Sequence, residues 1–148
     1  MAKQVIQTPD APAAIGPYSQ AVLAGSTLYM SGQIPLDPKT GQLVEGIDAQ
    51  AHQVFRNLRA VAGAAGASLN DIVKLAILLI DLADFAKVNE IMAAYMQAPY
   101  PARATYQVAG LPRGARIEIE ATLIVPTPAV AADPQMGWRE TFDQTKGQ

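Results

Sequence analysis

"RATYQVAGLPRGARIEIEATLIV", residues 103–125, decides how the chain is read. It holds two strand-like runs separated by a Gly/Pro loop at 109–115. Charge interrupts both runs: Arg103 opens the first, and Glu118 and Glu120 sit inside the second. Burying such groups alone is costly, so each must face water, an opposite charge or a ligand. Alternate residues of a strand share a face. Ile117, Ile119, Ala121 and Leu123 therefore make an apolar face, with Glu118, Glu120 and Thr122 opposite. In the first run Ala104, Tyr106 and Val108 read as the apolar side, and Arg103, Thr105 and Gln107 as the polar side. Pairing of the two runs across the loop would bring Arg103 near Glu118 and Glu120. Two readings follow. One is a solvated cross-strand ion pair worth about 0.2–1 kcal/mol. The other is a site, in which a guanidinium grips a substrate carboxylate through two parallel bonds beside a carboxylate that orients water or handles a proton. Spacing alone leaves both open.

Working outward, "KQVIQ" at 3–7 reads as a short strand, and the Pro-rich 8–17 as irregular. Residues 18–35 read as a hairpin turning at Gly25-Ser26, followed by a loop, "LDPKTGQLV". Ala51, Val54, Phe55, Leu58, Val61, Ala62 and Ala65 recur at helical spacing, with Asp48 as the expected N-cap and Gly66 as the stop. "DIVKLAILLID" at 71–81 reads as a buried strand. A second helix is predicted over 82–97, capped by Asp81 or Asp84 and burying Phe85, Val88, Met92 and Tyr95; Pro99 and Pro101 end it. The fold class is α+β, a single domain with about six strands and two helices on one face. The other sheet face must meet water or another subunit. After Val125 the composition changes, which places the domain at 1–126 and a C-terminal extension of no assigned role at 127–148. Trp138 and Phe142, four residues apart, are expected to dock that extension.

Half of the 148 residues are apolar and 16% are charged, the balance of a globular chain rather than a disordered one. A net charge of −2 and the lack of a basic run argue against nucleic acid as a partner. With no cysteine there is no disulfide and no thiolate nucleophile. The N-terminus has no continuous apolar segment of the secretory kind, and "LAILLI" at 75–80 is too short to span a bilayer, so a soluble, cytoplasmic protein is expected. His52 is the one histidine; it falls beside the apolar stripe and reads as solvent-exposed, and alone it builds no His-rich metal site. Ser19 and Ser31 have no evident histidine base, Gly16, Gly25 and Gly32 fit no phosphate-binding pattern, and Lys74 reads as solvent-facing.

Taken together, "IGPYSQAV", "LYMSGQIPLDPKTG", "FAKVNEIMAAYM" and "YPARATYQVAGLPRGARIEIEA" resemble the reactive intermediate deaminase (RidA/YjgF) family, in order from about Val5 to Val125. The resemblance implies a chorismate-mutase-like fold, a homotrimer with sites in clefts between subunits, and no cofactor or metal. It implies hydrolysis of 2-imino acids, formed from the enamines 2-aminoacrylate and 2-aminocrotonate, to 2-keto acids and ammonia. By residue, it implies that Arg103 binds the substrate carboxylate and that Glu118 associates with the water. Tyr18, Ser31, Gly32 and Asn89 match the remaining site positions. Thr105 stands where many relatives carry cysteine, which removes thiol chemistry but not imine hydrolysis. Other enamines, such as 2-aminomuconate, and non-enzymatic metabolite-binding, chaperone-like or ribonuclease roles are the alternatives. The intact Arg103 and Glu118 favour the 2-imino acid.

Overall fold

The computed structural model of the chain describes residues 2–127. Its elements are β1 (Gln4–Ile6), β2 (Ala21–Ala24), β3 (Thr27–Gln33), α1 (Ile47–Ala64), β4 (Ile72–Leu79), α2 (Phe85–Tyr95), β5 (Ala102–Gln107) and β6 (Ile117–Ile124). All six strands form one sheet in the order β1-β2-β3-β6-β4-β5. The expected docking of Trp138 and Phe142 lies outside the described residues.

The period-2 pattern of β6 is realised in full. Ile117, Ile119 and Leu123 are completely buried and Ala121 nearly so, while Glu118, Glu120 and Thr122 face the other way. The apolar sides of β3, β4 and β6 meet Val54, Phe55, Leu58 and Val61 of α1 and Val88, Ile91 and Met92 of α2 in one core. Both helices therefore cover the same sheet face, as expected. α1 starts one residue before Asp48, with Gly46 at its N-cap and the Asp48 carboxylate in the first turn, beside the helix's positive end. Gly66, at a φ of 78°, ends it as expected. The second helical stretch is divided: Leu82–Asp84 make a 3₁₀ turn capped by Asp81, whose carboxylate accepts the Ala83 N–H at 2.9 Å, and the α-helix begins at Phe85.

The expected strand pairing fails, and with it the nearness of Arg103 to Glu118. β5 and β6 do not pair. β4 lies between them, parallel to β5 and antiparallel to β6. The cause is the connection through α2: a strand–helix–strand crossover returns the second strand parallel beside the first. The chain then crosses from β5 to the far side of β4. Val108 N–H donates to the Leu79 carbonyl at 2.9 Å and Ile80 N–H to the Arg116 carbonyl at 3.2 Å, and the Arg116 guanidinium binds the Asp84 carboxylate at 2.9 Å.

The faces of β5 change with it. Arg103, Thr105 and Gln107 register with Leu75, Ile77 and Leu79, which are buried under the helices. Ala104 and Tyr106 register with Ala76 and Leu78, whose other neighbours are Glu120 and Glu118. Arg103 and Glu118 thus lie on opposite faces of the sheet. A second correction concerns His52, which is half-buried, with Nδ1 2.9 Å from the Tyr95 hydroxyl. Lys74 is exposed, as expected.

Candidate functional site

The first group of side chains stands where the edge strand β5 meets α2. The Arg103 guanidinium lies 5.3 Å from the centre of the Phe85 ring. Its Nη1 donates to Asn89 Oδ1 and lies 3.7 Å from the Met92 sulfur. Phe85, Asn89 and Met92 share one side of α2 because they are spaced by four and three residues. All three partners are neutral. Among the described residues no carboxylate lies within ion-pair distance of Arg103, so the cross-strand ion pair is ruled out within the chain. Asn89, Met92, Ala93, Tyr100, Pro101 and Arg103 line a groove of about 550 Å³. Two residues beyond Arg103, Thr105 Oγ1 is buried and has no hydrogen-bond partner among the described residues. Such a hydroxyl is costly unless something supplies a partner.

The second group stands at the middle of the sheet, around β3 and β6. Their register slips by one residue between Met30 and Gln33, which leaves Ser31 and Gly32 in a bulge. Ser31 is held there twice: its N–H donates to the Gln20 carbonyl at 3.0 Å and its hydroxyl to the Ser19 carbonyl at 2.6 Å. The Glu118 side chain lies directly against Gly32. A Cβ at position 32 would sit 2.9 Å from Glu118 Cδ and overlap the carboxylate itself. Glycine is therefore what lets the carboxylate rest at that height. Burial raises the Glu118 pKa above the ordinary carboxylate range, and the charge of Glu120 raises it further. Tyr18 projects nearby from the 8–19 loop, about half exposed, with its hydroxyl accepting the Ile15 N–H at 3.3 Å. Tyr18, Gly32, Ile15, Pro112 and Arg113 are among the walls of a cavity of about 270 Å³.

The structure thus brings together Arg103 and Asn89, with Thr105 on the same strand face. Separately, Glu118 lies against Gly32 next to Ser31, and Tyr18 shares a cavity wall with Gly32. The structure does not unite the two groups within one chain. Sequence reasoning missed Phe85 and Met92 as neighbours of the arginine, since both read as core. Their four- and three-residue spacing from Asn89 was the available signal. It also missed Arg113, which lines the Tyr18 cavity in a left-handed conformation at a φ of 58°.

The family described as Endoribonuclease L-PSP matches residues 8–125. This chain belongs to that family. A mouse (Mus musculus) relative, 2-iminobutanoate/2-iminopropanoate deaminase, is 54% identical over 82% of this chain and 91% of its own. The crystal structure of RidA from an Antarctic Psychrobacter superposes with a TM-score of 0.81 at 56% identity, covering 82% of this chain and 99% of that one. That of E. coli TdcF with bound serine gives a TM-score of 0.79 at 43% identity, covering 82% and 98%. The six-stranded sheet with two helices on one face is therefore the fold of the L-PSP/RidA family.

Proposed function

We propose that the chain hydrolyses small 2-imino acids, 2-iminopropanoate and 2-iminobutanoate, to 2-keto acids and ammonia, in sites formed between subunits of a homotrimer. The observation that carries this reading is the state of Arg103. An amide oxygen, a thioether and an aromatic ring fix it, and none of them neutralises it. Its charge is available to a substrate carboxylate, which it can meet with two parallel hydrogen bonds. The names of the relatives at 48–54% identity point to the same chemistry.

The reaction asks little more of the protein. Water adds to the C=N carbon, a proton moves to nitrogen, and the resulting carbinolamine expels ammonia to leave the keto acid. Glu118 orients the water and accepts its proton; a raised pKa brings it closer to the working pH, where such transfer is most effective. Tyr18 walls the pocket, and the Ser31–Gly32 bulge sets the position of Glu118. Thr105 supplies a hydroxyl that lacks a partner among the described residues. An assembly is required because the two groups face opposite sides of the sheet. The uncovered face is suited to one: Val5, Tyr29, Tyr106 and Ile124 are 45–57% exposed there, around Glu118 and Glu120. The homotrimer is the assembly that the family resemblance implies. A nuclease reading, which the family description suggests, has less support: net charge is −2, and the one histidine is engaged by Tyr95.

The direct test generates 2-iminobutanoate in situ with an amino-acid oxidase and follows ammonia and keto-acid release, corrected for spontaneous hydrolysis. The chain should accelerate release catalytically. Since the base must be ionised, kcat/KM should fall as pH drops through a pKa above the ordinary carboxylate range, and Glu118→Gln should flatten that limb. No acceleration with any imino acid of a panel would end this reading.

Gly32→Ala is expected to keep the fold, because the nearest atoms to the new methyl all belong to the Glu118 side chain rather than to backbone. The carboxylate must swing aside by about an ångström, a displacement that costs turnover roughly 10²-fold. Circular dichroism melting with steady-state kinetics checks this; a folded Gly32→Ala enzyme with normal turnover would remove Glu118 from the mechanism.

A further inference from the structure

We infer that Gln20 is a positioning residue for the proposed reaction, the clamp that closes the 8–19 loop and thereby aims Tyr18 into the site. This rests on the imine-hydrolysis reading above. Gln20 is 3% exposed, the burial of a core residue, yet its side chain is an amide. Every polar atom of that amide is used. Oε1 accepts the Thr8 N–H at 2.8 Å, while Nε2 donates to the carbonyls of Thr8 at 3.1 Å, Ala11 at 3.3 Å and Pro12 at 2.8 Å.

The position of these bonds gives them meaning. β1 and β2 pair as far as Ile6 and Ala21, and there the backbone ladder stops. The Gln20 amide continues it one step, taking both the N–H and the carbonyl of Thr8 as a strand backbone would. The intervening residues form a closed loop whose ends are joined by one side chain, a geometry recurrent at functional surfaces. Tyr18 and Ser19 lie in that loop, directly before Gln20. Tyr18 walls the cavity that contains Gly32, and the Ser19 carbonyl anchors the Ser31 hydroxyl. Alternatives for this loop are few: it carries two prolines before Gly16, and two of its large apolar side chains, Ile15 and Tyr18, are 81% and 54% exposed. Core packing does not hold these two; the Gln20 amide fixes the first half of the loop at Thr8, Ala11 and Pro12, and Ser31 fixes its end at Ser19 and Gln20.

The test is a double-mutant cycle on kcat/KM for 2-iminobutanoate, using Gln20→Met, Tyr18→Phe and both together in the full chain. Met conserves length and apolar volume but removes all four bonds. Gln20→Met should assemble as wild type and lose roughly 10-fold or more, the scale of a small misplacement. In the Tyr18→Phe background the same change should cost much less, because neighbouring groups that act together are non-additive. Hydrogen exchange should speed up at the amides of 9–19 and stay unchanged in β4 and β6, a readout independent of activity. Gln20→Asn, one methylene too short to reach both Thr8 and Pro12, gives the same comparison should the Met variant fail to fold. Unchanged exchange in the loop, or losses that simply add, would overturn the inference. An inactive wild type would instead overturn the reading on which it rests, and loop exchange would still report on the clamp.

Discussion

Arg103→Ala is expected to lower kcat/KM for 2-iminobutanoate by roughly 10²–10³ with fold and assembly intact. Removing one partner of a desolvated charge pair typically costs ~3–5 kcal/mol, and that loss appears in kcat/KM as transition-state stabilisation forgone. Here the loss has two parts. The substrate carboxylate loses its counter-charge, and Glu118 with Glu120 remain as uncompensated negative charge across the proposed cleft. Stability should be spared, because Arg103 is exposed on an edge strand and its truncation opens no apolar cavity. Arg103→Lys should recover only part of the activity. An ammonium carries the charge but lacks the planar fork and the flat face that lies on Phe85. Kinetics on the two variants, with light scattering to confirm assembly, decide the matter. Near wild-type activity in assembled Arg103→Ala would return this arginine to a structural role on α2.

What was legible in the chain was what burial writes locally. β6 alternates strictly, so its inward face and the outward carboxylates could be read without a structure. α1 carries its stripe at helical spacing, and Gly66 marks its end. The partner of β5 was less visible. Residues 102–107 and 117–124 are consecutive strands, and a short loop between strands invites a hairpin. The competing signal was α2: a helix between two strands favours a parallel crossover, and that signal prevailed. The face of β5 was misread for a related reason. Ala104 and Tyr106 look like a core side only if a core lies behind them. On an edge strand the inward side meets the margin of α2, where Asn89 and a thioether suit a guanidinium, and Tyr106 takes the open face. Spacing offered Arg103 and Glu118 as one of two readings; the remaining site residues came from the family resemblance. No reading of one chain could show that the site residues form two groups, since β4 and the sheet itself stand between them.

That separation leads to the last expectation, which concerns two variants that are each inactive. Arg103→Ala and Glu118→Gln should complement one another when they are unfolded and refolded together as a mixture. If each site takes Arg103 from one subunit and Glu118 from its neighbour, a mixed trimer contains some interfaces with both residues intact. The Glu118→Gln subunit supplies the arginine there, and the Arg103→Ala subunit supplies the glutamate. With random assembly from equal amounts, about a quarter of the sites should be restored, as follows from a heterologous cyclic interface whose halves are drawn independently. Activity should therefore rise from the background of either variant by roughly 10²-fold, given losses of the size expected for Arg103→Ala. Refolding each variant alone and mixing afterwards is the control, and should give no recovery over times short against subunit exchange. A site built within one chain predicts no recovery under either protocol. Failure of the co-refolded mixture, with mixed trimers verified by mass spectrometry, would refute the shared site. It would then require β5 or β6 to move so that a single subunit unites Arg103 with Glu118.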